Sequence, residues 1–161
     1  MADKNDAALQ EHLMKLLTEA QAHATFDEAM KGLDPELYGK VPEGAEHSPW
    51  QLLEHLRIAQ WDILEFSRDR NHVSPQWPEG YWPTDPQPPD AEAWDASIAQ
   101  FKKDLEAMRS LIRDPNSDLF SRIPHGEGQT LLREALVLAD HNSYHLGQLV
   151  LLRKLLGSWP E

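Results

Sequence analysis

Apolar residues recur at spacings of three and four along most of the chain, with polar residues between them. This period is that of an amphipathic α-helix, and no segment shows the clear alternation of a half-buried strand. Four long helices are predicted, which with their caps span about residues 6–31, 48–70, 90–113 and 130–159. Amphipathic helices joined by loops pack naturally as a bundle, so the predicted fold is an all-α four-helix bundle.

Capping residues mark the starts of three of these helices. Ser48 is the predicted N-cap of helix two, Pro49 occupies its first helical position, and Gln51 completes a capping box. Asp90 and Thr130 are the predicted N-caps of helices three and four.

Long loops follow helices one and two, at residues 33–47 and 71–90. The second loop holds six of the twelve prolines in the chain, and proline blocks helix and removes a backbone donor. It also contains Trp77, Tyr81 and Trp82, and three aromatic rings in so short a span are unusual for a solvated linker. We therefore expect this loop to pack against the bundle, cover one end of it, and line a pocket with its two tryptophans.

The length of the chain is that of one domain, and 161 residues suffice to bury a core without a disulfide or a structural metal. We predict a single domain over residues 1–161. The sequence contains no cysteine, which excludes a thiol nucleophile, a thiolate metal site and a disulfide framework. Histidine and carboxylate side chains are therefore the metal ligands that this chain can offer.

The charge balance is strongly acidic, with 15 Lys and Arg against 27 Asp and Glu and a formal net charge of -12. A nucleic-acid backbone would be repelled, because the basic residues form no cluster. The first residues lack the pattern of a secretory signal, and no stretch reaches the 18 or so apolar residues of a membrane span. We expect a cytoplasmic protein that binds neither nucleic acid nor membrane.

Three histidines fall on predicted core faces. His141 and His145 are four residues apart on helix four, so their rings project from one face, and His55 lies on the apolar stripe of helix two. Three imidazoles with one remaining position for water is the arrangement of a catalytic metal site. The same residues also fit core histidines that bond to each other or to a carboxylate, for which the candidates are Asp62, Glu134 and Asp140. The residues alone leave both interpretations open.

Two motifs resemble the DinB or YfiT-like family of bacterial four-helix bundles. The first is His-Ser-Pro-Trp at 47–50 leading into Leu-Glu-His-Leu at 53–56, and the second is Asp-His-Asn-Ser-Tyr-His-Leu-Gly-Gln at 140–148. The resemblance covers essentially the whole chain and implies a divalent metal on His55, His141 and His145. Zinc or nickel is the first expectation for this ion, with iron or manganese as further candidates. The resemblance also implies a homodimer and a link to the bacterial stress response, which concerns expression and not DNA binding.

The function that these features imply is that of a divalent-metal-dependent enzyme acting on a small-molecule substrate. Its three-histidine site would activate water or a low-molecular-weight thiol cosubstrate, as a hydrolase or a thiol-dependent transferase. Any sulfur nucleophile must arrive as cosubstrate, since the chain has no cysteine. The alternatives are a non-catalytic metal-binding stress protein and a helical interaction module. No catalytic residue is assigned, although His47 and His125 are candidates for a fourth ligand or proton shuttle, and Tyr144 and Gln148 for groups that orient the ligands.

Overall fold

The computed structural model describes residues 4–160. Within this range the chain forms five α-helices, two single-turn 3-10 helices and no strand, which confirms the all-α class. The α-helices are α1 (Lys4–Thr18), α2 (Phe26–Met30), α3 (Pro49–Arg68), α4 (Ala93–Arg113) and α5 (Leu131–Leu155). The four long helices, α1, α3, α4 and α5, form the bundle, and the short α2 lies in the first long connection. The predicted domain, residues 1–161, extends beyond the described range at both ends.

The first predicted helix, 6–31, is divided in two in the structure, so its prediction as one helix was wrong. α1 ends at Thr18, and α2 begins after Thr25. The reason is a capping box: Glu28 N donates to Thr25 Oγ1 at 3.2 Å, while Thr25 N donates to the Glu28 carboxylate at 2.7 Å. These two bonds favour a new helix start, because a continuous helix would lose both. The short helix then buries Ala29 and Met30.

The start of α3 confirms the prediction made from its capping residues. Gln51 N donates to Ser48 Oγ at 3.2 Å, and Ser48 N donates to Gln51 Oε1 at 3.1 Å. Thr130 likewise caps α5. Asp90 is not the N-cap of α4, which begins two residues later than predicted, at Ala93 after the cap residue Glu92. The Asp90 carboxylate still accepts hydrogen bonds from the backbone amides of Glu92, at 2.9 Å, and Ala93, at 2.8 Å. It therefore satisfies two backbone donors at the start of α4 from outside the helix.

The core lies between α3, α4 and α5, which bury their apolar stripes against one another. Phe101 of α4 is 1% exposed and stacks on Phe26 at a centroid distance of 3.9 Å. Burial of a side chain of this size contributes about 1.5–3 kcal/mol relative to exposure. Further along the bundle, Leu64, Met108 and Leu138 from the three long helices are fully buried. This packing sets α3 beside α5 and thereby brings their histidines together.

The proline-rich loop, residues 71–90, packs against the start of α3 instead of extending into solvent. Ser48 Oγ donates to the carbonyl of Pro86 at 2.6 Å, and Gln51 Nε2 donates to the carbonyl of Pro83 at 2.9 Å. The loop therefore lies along the bundle, as its aromatic content predicted. Of the helices in residues 4–160, none has the length and apolarity needed to cross a lipid bilayer.

A candidate metal centre between two helices

Three histidine side chains meet between α3 and α5. His55 lies in the second turn of α3, on the face that points to the core, and His141 and His145 lie in successive turns of α5. His55 is 2% exposed and His145 is 8% exposed, while His141 is half-buried. The apolar stripes that bury both helices thus carry three polar rings into the protein interior, where such rings need a partner.

The Nε2 atoms of the three rings converge on one point. His55 Nε2 lies 3.1 Å from His145 Nε2 and 3.0 Å from His141 Nε2, and one ligand atom from each residue lies within 4.8 Å of the others. Ligand nitrogens about 2.0–2.1 Å from a zinc ion at tetrahedral angles are about 3.3–3.4 Å apart. The observed separations are close to that spacing.

The opposite nitrogens of two rings are held by hydrogen-bond acceptors. His55 Nδ1 lies 3.1 Å from the backbone carbonyl of Tyr81, and His145 Nδ1 lies 2.7 Å from Gln148 Oε1. A carbonyl oxygen can only accept, so Nδ1 carries the proton in both rings, and each neutral ring then has an unprotonated Nε2. Two lone pairs therefore face each other across 3.1 Å. They cannot form a hydrogen bond to each other, so a proton or a cation shared between the two nitrogens would stabilise this arrangement.

Burial disfavours the shared proton. Removal from water, together with the neighbouring imidazoles, lowers the pKa of His55 to about 4. The same two causes lower the pKa of His141 to about 4, and burial lowers the pKa of His145. All three rings are therefore neutral at neutral pH, which is the protonation state that metal binding requires. The donor set, its protonation and its spacing fit a divalent ion.

The carboxylates considered as alternative partners do not reach the histidines. Asp62 accepts hydrogen bonds from His72 and Tyr81, and Glu134 accepts one from Arg133. Asp140 is exposed. Within residues 7–160, no carboxylate is hydrogen-bonded to any of the three clustered rings, which are in contact with one another. The Nδ1 atom of His141 is buried and has no hydrogen-bond partner in that same range.

An aromatic stack covers His55 on the side of the loop. The Trp82 indole lies on the His55 ring at a centroid distance of 3.7 Å and an interplanar angle of 4°, and His47 stacks on the same indole at 3.9 Å. His47 stacks on the indole and is not one of the three residues whose ligand atoms lie within 4.8 Å of one another. His125 is further removed, because its Nε2 bonds to the carbonyl of Phe66. Neither loop histidine joins the cluster.

Two residues, Gln148 and Tyr144, were predicted to orient the metal ligands, and the structure places them differently. Gln148 contacts His145 directly, as described above, whereas Tyr144 is 64% exposed and meets the same ring only with its edge. The contribution of Tyr81 was missed in the sequence, because a backbone carbonyl has no residue-type signature. The one available signal was the aromatic content of the loop that carries it.

A cavity of about 290 Å³ lies beside the cluster. Glu46, His47 and Gln148 contribute polar groups to its wall, and leucines such as Leu52 and Leu152 contribute apolar ones. Gln148 is shared between this cavity and the hydrogen bond to His145, so the cavity adjoins the candidate centre.

Residues 12–149, which are most of the chain, match the family model described as the DinB superfamily. The matched segment includes all three clustered histidines. Comparisons with curated proteins and with solved structures returned no match.

Proposed function

The chain belongs to the DinB superfamily, and from this premise we propose that it is a divalent-metal-dependent enzyme whose ion is held by His55, His141 and His145. The observation that carries the proposal is the pair of unprotonated Nε2 atoms of His55 and His145, 3.1 Å apart, with their Nδ1 protons donated elsewhere. A divalent cation relieves the repulsion between these lone pairs and uses all three rings as ligands. Three protein ligands is the number typical of catalytic zinc sites, which retain a position for water or substrate.

A divalent ion at this site would supply Lewis acidity, which lowers the pKa of a bound water or thiol so that an anionic nucleophile exists at neutral pH. The chain itself supplies the framework: Tyr81 and Gln148 hold the tautomers of two ligands, and Trp82 excludes water from one face of His55. Imidazole donors suit zinc or nickel, with iron or manganese as alternatives.

The proposed reaction joins that nucleophile to a small-molecule substrate. The cavity beside His145 is large enough for a small organic group, and its leucine walls suit an apolar portion of the substrate. Without cysteine in the chain, thiol chemistry uses a low-molecular-weight thiol as cosubstrate. The cytoplasm, where such thiols are kept reduced, is the proposed location.

A homodimer is part of the proposal. α5 exposes Leu136, Tyr144, Leu151 and Leu155 at spacings that place them on one face of the helix. Gly147 lies within that face and has open space around the position of a Cβ atom, so a second helix can approach closely there. The occupant proposed for this face is α5 of a second copy.

The exposed face of α5 also supports the alternative of a helical interaction module, in which a different protein binds this surface. A non-catalytic metal-binding stress protein is the other alternative, since the stack of Trp82 on His55 shields part of the cluster. Metal content separates the module from the two metal-binding proposals. Turnover then separates an enzyme from a non-catalytic metal protein.

The deciding experiment is a metal inventory of protein purified without an affinity tag. We expect about one divalent ion per chain in the unmodified protein, loss of that ion in His55→Ala and His145→Ala, and retention in the control His12→Ala. His12 is exposed on α1, so its removal leaves the cluster intact. Stoichiometric metal in the double variant His55→Ala/His145→Ala would contradict the proposed site.

Enzymatic activity is tested on the metal-loaded protein with panels of hydrolase substrates and of thiol acceptors. We expect turnover that disappears in His145→Ala and persists in His12→Ala. A requirement for added thiol assigns a transferase, and turnover without thiol assigns a hydrolase. A metal-loaded protein without turnover in either panel would favour the non-catalytic metal-binding protein.

A further inference from the structure

A second polar cluster lies along α3, away from the three histidines. Tyr81 Oη donates to Asp62 Oδ2 at 2.6 Å, and His72 Nε2 donates to Asp62 Oδ1 at 2.7 Å. Asp62 belongs to α3, whereas His72 and Tyr81 belong to the proline-rich loop. We call these three residues the latch, because they fasten the loop to the helix.

The latch is mostly shielded from water. The Asp62 side chain is 14% exposed and that of His72 is 7% exposed, and the Trp61 ring meets His72 edge-on at 5.0 Å. Shielding strengthens both hydrogen bonds to the carboxylate relative to the same bonds at an exposed site. Both carboxylate oxygens are used, so the two loop residues are held at once.

Tyr81 connects the latch to the three-histidine cluster. Its hydroxyl binds Asp62, its backbone carbonyl accepts the Nδ1 proton of His55, and the next residue, Trp82, stacks on the His55 ring. Asp62 lies seven residues after His55, or about 10 Å further along the helix axis. One loop residue therefore spans two turns of α3 and contacts both positions.

We propose that the latch is a positioning device for His55: it fixes the Tyr81 carbonyl so that His55 keeps its proton on Nδ1 and directs the Nε2 lone pair into the cluster. This inference rests on the proposed metal function, and it assigns to Asp62, His72 and Tyr81 a role in ligand geometry without contact to the ion. Groups that orient a ligating histidine typically contribute 10- to 100-fold to metal affinity, roughly. The latch acts on metal affinity indirectly, because it positions the Tyr81 carbonyl and that carbonyl in turn orients His55.

Other contacts hold the later part of the loop independently. Ser48 and Gln51 bind the carbonyls of Pro86 and Pro83, both beyond Trp82. Loss of the Tyr81 hydroxyl therefore frees the segment that carries the carbonyl while the rest of the loop stays attached. A change in metal affinity on removal of this hydroxyl reports on the position of the carbonyl, not on general detachment of the loop.

The test variant is Tyr81→Phe, which keeps the ring and the backbone carbonyl and deletes only the hydroxyl. Tyr38→Phe is the matched control, because the partly buried Tyr38 ring stacks on Trp94 of α4 and its hydroxyl makes no hydrogen bond to the latch or to the clustered histidines. Zn²⁺ affinity is measured by competition with a chromophoric chelator. We expect Tyr81→Phe to weaken binding by about 10-fold and Tyr38→Phe to leave it unchanged.

A second readout does not depend on the metal. In metal-free, ¹⁵N-labelled protein, the nitrogen shifts of His55 report which ring nitrogen carries the proton, with the resonances assigned by their loss in His55→Gln. We expect the Nδ1–H tautomer in the unmodified protein and in Tyr38→Phe, and a mixture of tautomers in Tyr81→Phe. Asp62→Asn is a second variant of the same size, since an amide offers one acceptor oxygen where the carboxylate offers two.

These readouts separate the two proposals. A protein that binds no Zn²⁺ overturns the proposed function. The latch is then tested by the His55 tautomer alone, which should change in Tyr81→Phe if the latch positions the carbonyl. Metal binding with unchanged affinity and an unchanged His55 tautomer in both Tyr81→Phe and Asp62→Asn overturns the latch and leaves the metal site standing. A shift in tautomer together with weaker binding in both variants supports it.

Discussion

Burial of the three histidines leads us to expect that metal affinity falls much less between pH 7 and pH 5 than it would at a site built from exposed histidines. Protons compete with a metal for imidazole only when the pH approaches the pKa of the ring. An ordinary histidine with a pKa of about 6.5 loses roughly 25-fold in its neutral fraction over this interval, so three such ligands would lose roughly 10⁴-fold in affinity.

The structure predicts a much smaller loss. Burial and the neighbouring imidazoles lower the pKa of His55 and of His141 to about 4. The neutral fraction of each of these two rings therefore falls only about 1.1-fold between pH 7 and pH 5. The pKa of His145 is also lowered, so its loss lies below the roughly 25-fold of an unshifted ring. Together the expected loss of affinity is less than about 30-fold.

The assay is Zn²⁺ binding at pH 7, 6 and 5, measured against a chelator whose own proton competition has been calibrated. Free imidazole provides the control, because its pKa is not lowered by burial and its affinity for Zn²⁺ must fall steeply over the same range. A fall of about 10⁴-fold in the folded protein would refute the reasoning, since it would show three solvent-exposed ligands. The metal-free protein gives a linked result: the folded rings bind fewer protons than the unfolded ones, so the free energy of unfolding decreases as the pH falls from about 6.5 to about 4.

Three further substitutions test separate parts of the structure. Gln148→Leu removes the acceptor for His145 Nδ1 and should weaken Zn²⁺ binding about 10- to 100-fold in titrations. Gln148→Glu keeps an acceptor oxygen and is the control. Equal affinities in the two variants would contradict the role of Gln148 in orienting His145. Ser48→Ala removes the N-cap of α3 and should lower the free energy of unfolding in urea by about 1 kcal/mol, a result that a change below about 0.3 kcal/mol would contradict. Leu136→Lys places a charge on the exposed face of α5, outside the cavity wall, and should convert the proposed dimer to a monomer in light scattering, which an unchanged dimer mass would rule out.

The sequence was sufficient to predict the helices and the origin of the site, because both depend on local rules. The capping box at Ser48 and Gln51 marks the start of α3 through contacts only three residues apart, and the structure contains both bonds. The period of apolar residues placed His55, His141 and His145 on buried faces. Where local signals competed, prediction was less successful: the capping box at Thr25 and Glu28 divided the first helix although apolar spacing continued through it.

Tertiary structure alone decided which groups surround the three rings. The Tyr81 carbonyl reaches His55 across 26 residues of chain. The Asp62 carboxylate was a candidate partner of the clustered histidines from sequence, but in the structure it binds Tyr81 and His72. A helical period specifies the direction in which a side chain points from its own helix. It does not specify which distant backbone atom a loop brings to meet that side chain, because this depends on the packing of the whole loop. The ligands of the proposed centre can therefore be read from the chain, whereas the tautomers that would allow them to bind a metal are set by the fold.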